Sequence, residues 1–482
     1  MNPYLNLFRQ LILVLMSFVA TSAYAQTEQE AIKGGVCVVR VDDKVVLVHE
    51  ILTKKLALPG GRVERGEDPA ITAQRETWEE TGLVVSVKRE LGRYDDAIFY
   101  DCVSDSHIVS FQFNNVYDGL ELPVWFAPHY GVEVSSAMLV NPSSIPVEEY
   151  RFPEQIDWLK QMRHEASNQP ITYVGNLVEA APKFNQVELD WMIWLQSTIH
   201  ELPDSLRTLS RWFIMGGNLL AEPLLLIILL PLAYMRYGRA SAFKIFFAAT
   251  VTALMSLAAQ QGFAFPRPHV YLPAVELVQT YGYSFPSVPT AIWLAVGLLV
   301  LKKERRLSGH SYTLLFTALF LWLGLAKFYT GSAFLVDVIS GALLGSLCAW
   351  HITRLENNPA FKSLHLFSSK QVWLALLAFC GVMVLLWPSA ILGSWFTAIA
   401  SVAVVLYLTS DEEKWVSPSN MLLLIMAIFA ANVALSGAAS LVSHSSILSF
   451  SLEMLRYPLL ITLFVMGFRK VSQVSRTSNH CV

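Results

Sequence analysis

A chain of 482 residues is too long for one hydrophobic core, so about two or three domains are expected. Apolar residues make up 54% and charged residues 15%, the balance of a membrane protein; a formal net charge of −3 supplies no basic field and excludes nucleic acid as a partner. The apolar weight is uneven, because residues 27–170 mix charge with short strands and long apolar runs dominate from about residue 213 onward.

Arg9, an apolar core at 11–20 and the small residues Ala23 and Ala25 form a secretory leader over residues 1–25, cleaved after Ala25. An uncleaved anchor helix would also carry the following segment out of the cytoplasm. Strands are expected at 36–41 and 45–48 around the turn Asp42-Asp43. A Gly-rich turn, Pro59-Gly60-Gly61, precedes a helix over 69–81 that Gly82 stops. Strands at 84–90 and 107–116 and an amphipathic helix over 153–164 complete a mixed α/β domain over 30–165. A linker and an interfacial helix follow over 166–205. The linker is polar and Pro-containing, roughly 166–188, and 189–212 sets Trp and Leu on one side and charge on the other. The cysteines 37, 102, 348, 380 and 481 have no metal spacing; Cys37 and Cys102 either pair or remain two buried thiols.

Nine apolar stretches are expected to cross the membrane, near 213–235, 242–262, 288–301, 311–327, 333–351, 371–387, 390–409, 420–441 and 447–468. Counted from outside, the inner loops hold Arg236 and Arg239, then Lys302, Lys303, Arg305 and Arg306, then Arg354, Lys362 and Lys370, and finally Arg469, Lys470 and Arg476. The outer loops hold little beyond Arg267. This bias places the α/β domain outside the cytoplasm, as the leader does.

The chemistry is concentrated in Glu67 and in Arg75-Glu76-Thr77-Trp78-Glu79-Glu80-Thr81-Gly82. On a helix Glu76, Glu79 and Glu80 share one face, where three carboxylates repel one another unless a hard divalent cation lies among them. With Gly61 and Glu67 the segment resembles the Nudix box, G-x5-E-x7-R-E-U-x-E-E-x-G-U; its one departure is Thr77, at a position that faces the core. The resemblance covers residues 30–165 and implies an α/β/α sandwich that hydrolyses a nucleoside diphosphate linked to another group. It implies that Glu76, Glu79 and Glu80 hold Mg²⁺ or Mn²⁺, with the Gly61 carbonyl a further ligand. Arg75 then orients a glutamate, Glu67 supports the metal shell and Gly82 ends the helix. The general base is left open, Glu76 being the first candidate. Tyr94, Asp95, Phe99 and Tyr100 are substrate-contact candidates by position only, with core packing or turn formation as the alternative.

Residues 206–352 resemble type-2 phosphatidic acid phosphatases through Arg267-Pro268, Pro286-Ser287 and Ala326-Lys327 followed by Asp337. The family pattern is K-x6-R-P, P-S-G-H and S-R-x5-H-x3-D. Here its lysine is Gln260, its acid histidine is Pro289 and its nucleophilic histidine is Ala333. Arg267, Ser287, Lys327 and Asp337 remain as phosphate-binding remnants, and His269 lies two residues beyond Arg267. Alanine offers no nucleophile and proline no proton, so a catalytically inactive bundle is expected, with uninterpreted spans over 371–470.

The leading expectation is therefore a Nudix pyrophosphohydrolase on the periplasmic side of a bacterial inner membrane. It would act on a diphosphate-containing small molecule or lipid, with membrane lipids as its surroundings. The alternative is a lipid phosphate or diphosphate phosphatase acting through the membrane helices. In a third reading the bundle binds a lipid diphosphate and presents it to the α/β domain.

Overall fold

The computed structural model describes residues 32–304, 311–358, 366–408 and 416–478. The leader at 1–25, the cations Arg305, Arg306 and Lys362, and Cys481 lie outside the described residues. Chain reversal at Asp42, in the left-handed region at φ 53°, separates β1 (Gly34–Val38) and β2 (Arg40–Val41) from β3 (Lys44–Glu50). The single strand expected at 36–41 is thus divided at Val39. Next come β4 (Leu56–Ala57), β5 (Gly60–Arg62) and α1 (Pro69–Thr81), then β6 (Val85–Tyr94), β7 (Ala97–Ser104), β8 (Ile108–Phe111), β9 (Leu120–Leu122) and β10 (Val134–Val140). One sheet has the order β5-β1-β7-β6 and a second β2-β3-β10-β9, with β4 on β3. No strand is expected at β10, which sits between β3 and β9. Its burial on both faces leaves no alternation to read.

The helix over 69–81 has the expected bounds for local reasons. Asp68 accepts from the Ala70 N–H at 2.8 Å, Pro69 opens the first turn, and Gly82 closes it at φ 72°. Gly35 on β1 lets α1 lie against the sheet, since a Cβ there would stand 2.1 Å from the Pro69 carbonyl oxygen. β1 and β7 are parallel neighbours, and Cys37 and Cys102 are joined across them with Cα atoms 5.5 Å apart. Pairing, not two free thiols, is the outcome.

The segment expected as a linker is partly ordered. After α2 (Ile156–Met162), β11 (Ile171–Val174) joins β8 in parallel, and α3 (Lys183–His200) begins within the same stretch. The interfacial helix is two helices, α3 and α4 (Asp204–Gly216), divided near Pro203; Trp191, Trp194, Leu209 and Trp212 are exposed along them.

The remainder is helical: α5 (Pro223–Phe263), α6 (Pro268–Tyr271), α7 (Val288–Lys303), α8 (Ser311–Tyr329), α9 (Leu335–Asn357), α10 (Lys370–Leu386), α11 (Ala390–Leu408), α12 (Pro418–Leu441) and α13 (Ser446–Ser478). Among the described residues six helices, not nine, are long and apolar enough to cross a membrane. The stretches at 213–235 and 242–262 fall mostly in the single run α5, which Gly238 breaks at φ 80° and ψ 175°. α7 has 16 residues and α10 has 17, both short of the roughly 20 that a span needs.

Cations of the predicted inner loops lie at one end of the bundle. Arg236 is 3.3 Å from Glu304, beside Lys302 and Lys303, and Lys244 is 2.7 Å from Glu356, near Arg354. The α/β part meets the other ends of the helices. Arg151 donates to the Ser446 hydroxyl at 2.7 Å, the Leu177 N–H donates to the Tyr271 carbonyl at 2.7 Å, and the Glu188 carboxylate accepts from the N–H groups of Leu335 and Val336.

Candidate active site

Helix α1 carries its acidic residues on the flank facing β5 and the loop before β10. Thr72, Ala73, Thr77 and Thr81 are buried beside it, and Glu80 is buried with them. Thr77 is fully buried and its hydroxyl donates to the Ala73 carbonyl at 2.7 Å, so its departure from an aliphatic residue leaves no unpaired polar atom in the core.

Arg75 organises the carboxylates. Its Nε and Nη2 donate to the two oxygens of Glu67 at 3.0 and 3.1 Å, a bidentate pair, while its Nη1 lies 2.9 Å from Glu76 and 2.8 Å from Glu79. Glu67 also accepts from the Thr72 hydroxyl and the Glu64 N–H. Gly61 lies directly under Glu76, since a Cβ at 61 would collide with that carboxylate. Glu80 turns away from the other two, is buried, and accepts from the Gly60 N–H at 3.0 Å.

The sequence reading expects Glu76, Glu79 and Glu80 as one ligand set, whereas the fold groups Glu76 and Glu79 with His129. One ligand atom from each of these three lies within 4.8 Å of the others. The His129 Nε2 is 3.8 Å from Glu79, its Nδ1 is 3.4 Å from Glu133, and its N–H donates to the Glu79 carbonyl. Nothing in the local sequence marks His129 or Glu133, because their loop has no fixed spacing from the box.

Electrostatics favours a cation here. Burial pushes the Glu76 carboxyl up, against the pull of Arg75, and burial together with the nearby Glu50 pushes Glu80 well up. The pairing with Glu133 raises His129 and lowers Glu133. Two carboxylates and an imidazole converging on one point, with a third carboxylate buried behind them, fit a divalent cation of hard or intermediate character.

Glu67 offers a separate check. The hydrogen bonds from Arg75, then from Thr72, hold its carboxyl down at about 2. Because the folded value lies below the ordinary 4.5, the stability it contributes is complete above that pH and is lost as the pH falls toward 2. Arg75→Ala is expected to return Glu67 to the ordinary carboxylate range, read by NMR titration of the side-chain carboxyl carbon. An unmoved midpoint would assign the shift to another cause.

The four remnants in the membrane part lie close together, tied by the side chains of Arg267 and Asp337 and the backbone of Ser287 and Lys327. Arg267 donates from Nε to the Tyr281 carbonyl at 2.8 Å, from Nη2 to the Tyr283 carbonyl at 3.0 Å and from Nη1 to the Ser332 carbonyl. Asp337 caps α9 by accepting from the Phe334 N–H, its carbonyl accepts from the Ser287 N–H, and the Lys327 carbonyl accepts from Ser332 and Ala333. The Arg267 guanidinium thus ties three backbone carbonyls together. His269 is buried and pushed down to about 3 by burial and then by Arg267, with its Nδ1 3.5 Å from Glu276. Of the substrate-contact candidates, Phe99 and Tyr100 are buried in the core, Asp95 forms the β6–β7 turn at φ 52°, and Tyr94 packs on Trp158.

Residues 32–161 match the NUDIX domain. Among solved structures, an ADP-ribose pyrophosphatase from Streptococcus suis 89-1591 is 17% identical at a TM-score of 0.22, covering 30% of this chain and 98% of that one. LpxE from Aquifex aeolicus is 20% identical at 0.29, covering 34% and 94%. A NUDIX hydrolase from Nitrosomonas europaea is 16% identical at 0.20, covering 30% and 81%. No curated protein matches the chain.

Proposed function

We propose that the NUDIX domain at residues 32–161 is a membrane-tethered pyrophosphohydrolase that faces the periplasm and cleaves a nucleoside diphosphate linked to another group, or a similar diphosphate. The observation that carries this reading is the single guanidinium of Arg75, which fixes Glu67, Glu76 and Glu79 around a point that His129 completes. Glu76, Glu79 and His129 would hold Mg²⁺ or Mn²⁺, with Glu80 and the Gly61 backbone behind them. Such an ion, when bound, shields the charge of the diphosphate and lowers the pKa of a coordinated water. The protein's own contribution is positional. Arg75 keeps two carboxylates from swinging apart, and Glu67 holds Arg75 in place by two parallel hydrogen bonds.

The leader pattern, the collection of cations at the end of the bundle away from the NUDIX domain, and the Cys37–Cys102 bond all support a periplasmic placement in a bacterial inner membrane. We read the phosphatase-like helices as catalytically inactive, since Pro289 and Ala333 stand where histidines are needed and Arg267 bonds three backbone carbonyls.

Full-length protein in detergent, supplied with Mg²⁺ or Mn²⁺, is expected to hydrolyse members of a panel of nucleotide sugars, dinucleotides and lipid diphosphates. The activity should vanish in the double variant Glu79→Gln, Glu80→Gln. Phosphate release from a lipid phosphate that survives both changes would move the activity to the membrane helices.

A further inference from the structure

The glutamate site and the membrane helices share one loop. Ile51, Leu52 and Lys54, between β3 and β4, line one end of a cavity of about 770 Å³ that continues between α5, α7, α11, α12 and α13. This volume lies within the roughly 300–1,000 Å³ of small-molecule sites. Its walls are apolar, with Leu226, Phe246, Ile292, Val402 and Leu460 representative. Polar groups gather at its two ends: Lys54, Tyr281 and Arg456 below the NUDIX domain, Arg239 and Arg469 at the other.

Along α13 the lining runs from Ser449 to Arg469. At 1.5 Å per residue this is about 30 Å, the depth of the hydrocarbon core of a bilayer. Packed protein interiors hold few voids larger than a water molecule, and a long apolar void within a membrane is matched by a hydrocarbon chain rather than by water. Glu222 and Glu453 line the cavity too, and Glu453 lies 3.6 Å from Arg456, so Lys54 and Arg456 at the end below the NUDIX domain are matched by two carboxylates and head-group recognition falls to the cation site. That site is near. The Ile51 N–H donates to the Glu133 carbonyl at 2.8 Å, Glu133 is 3.4 Å from His129, and His129 is 3.8 Å from Glu79.

We propose that this cavity binds the hydrocarbon chain of a membrane amphiphile whose diphosphate head group is the one cleaved at the glutamate cluster. The inference rests on the pyrophosphohydrolase reading and names its substrate class.

The test compares a five-carbon with a fifteen-carbon isoprenyl diphosphate on full-length protein in nanodiscs, and reads the ratio of their kcat/KM. A preference of about tenfold or more for the longer chain is expected. It should fall to about threefold or less in Ala398→Trp and Ser394→Trp, which fill the cavity wall. A ratio near one in the wild type, or one unchanged in both variants, overturns the proposal. Should the variants not fold, a fifteen-carbon diphosphate with a photoreactive chain end puts the question to the wild type. Crosslinks to Val402 or Leu460 support the cavity, and crosslinks confined to residues outside it overturn the cavity. A diacylglycerol cytidine diphosphate run in parallel separates a diacyl from an isoprenoid source. Hydrolysis of soluble nucleotide sugars without chain preference keeps the hydrolase and removes the chain site. Crosslinking in the cavity without hydrolysis of any diphosphate removes the hydrolase and keeps the chain site.

Discussion

Glu79→Gln is expected to lower kcat by about 10²–10⁴-fold, equivalent to about 3–5 kcal/mol of lost transition-state stabilisation. The amide keeps the shape of the side chain and removes its charge. Glu79 is the member of the cluster that touches both Arg75, at 2.8 Å, and His129, at 3.8 Å, so its loss takes away one proposed anionic ligand and one anchor of the arginine together. Calorimetric titration with Mg²⁺ or Mn²⁺ should show weaker binding in parallel with the lost turnover. His129→Ala should weaken the ion by a smaller factor, about tenfold, because an imidazole contributes a dipole where a carboxylate contributes a charge. Turnover unchanged in Glu79→Gln would remove the cation site and the hydrolase with it.

Replacing both Cys37 and Cys102 by Ala is expected to destabilise the NUDIX domain by about 4 kcal/mol, the chain-entropy value for a bond spanning this loop. The two cysteines are 65 residues apart in sequence and fully buried between β1 and β7. Thermal unfolding of full-length protein, followed by near-UV circular dichroism, measures the change. The same pair reports the compartment. In cells, unfolded and alkylated without reductant, Cys37 and Cys102 should stay unlabelled, and they should label after reduction. Labelling without reductant would place the domain in a reducing compartment and overturn the periplasmic orientation.

Much of the site is readable in the sequence because its geometry is local. The spacing of Glu76, Glu79 and Glu80, the cap at Asp68 and the stop at Gly82 lie within one helix, whose period fixes which residues share a face. Arg75 reaching Glu79 is the same kind of relation, one turn apart. Long apolar runs likewise announce membrane helices. Counting them by composition overestimates the number, because α7 and α10 are short and α5 joins two of the expected stretches in one run broken at Gly238.

What the sequence determined by itself, then, was a box of acidic residues on a helix and a membrane-embedded remainder. Tertiary structure decided which of these groups lie together. The Gly60 N–H holds the buried Glu80, and the loop before β10 brings His129, with Glu133, to Glu79. It also decided that Cys37 meets Cys102, because β1 and β7 pair in parallel, and that Arg267 is held by three carbonyls. The physical reason is common to all of these. A contact between residues far apart in the chain depends on how sheets and helices stack, and no short-range period encodes that stacking.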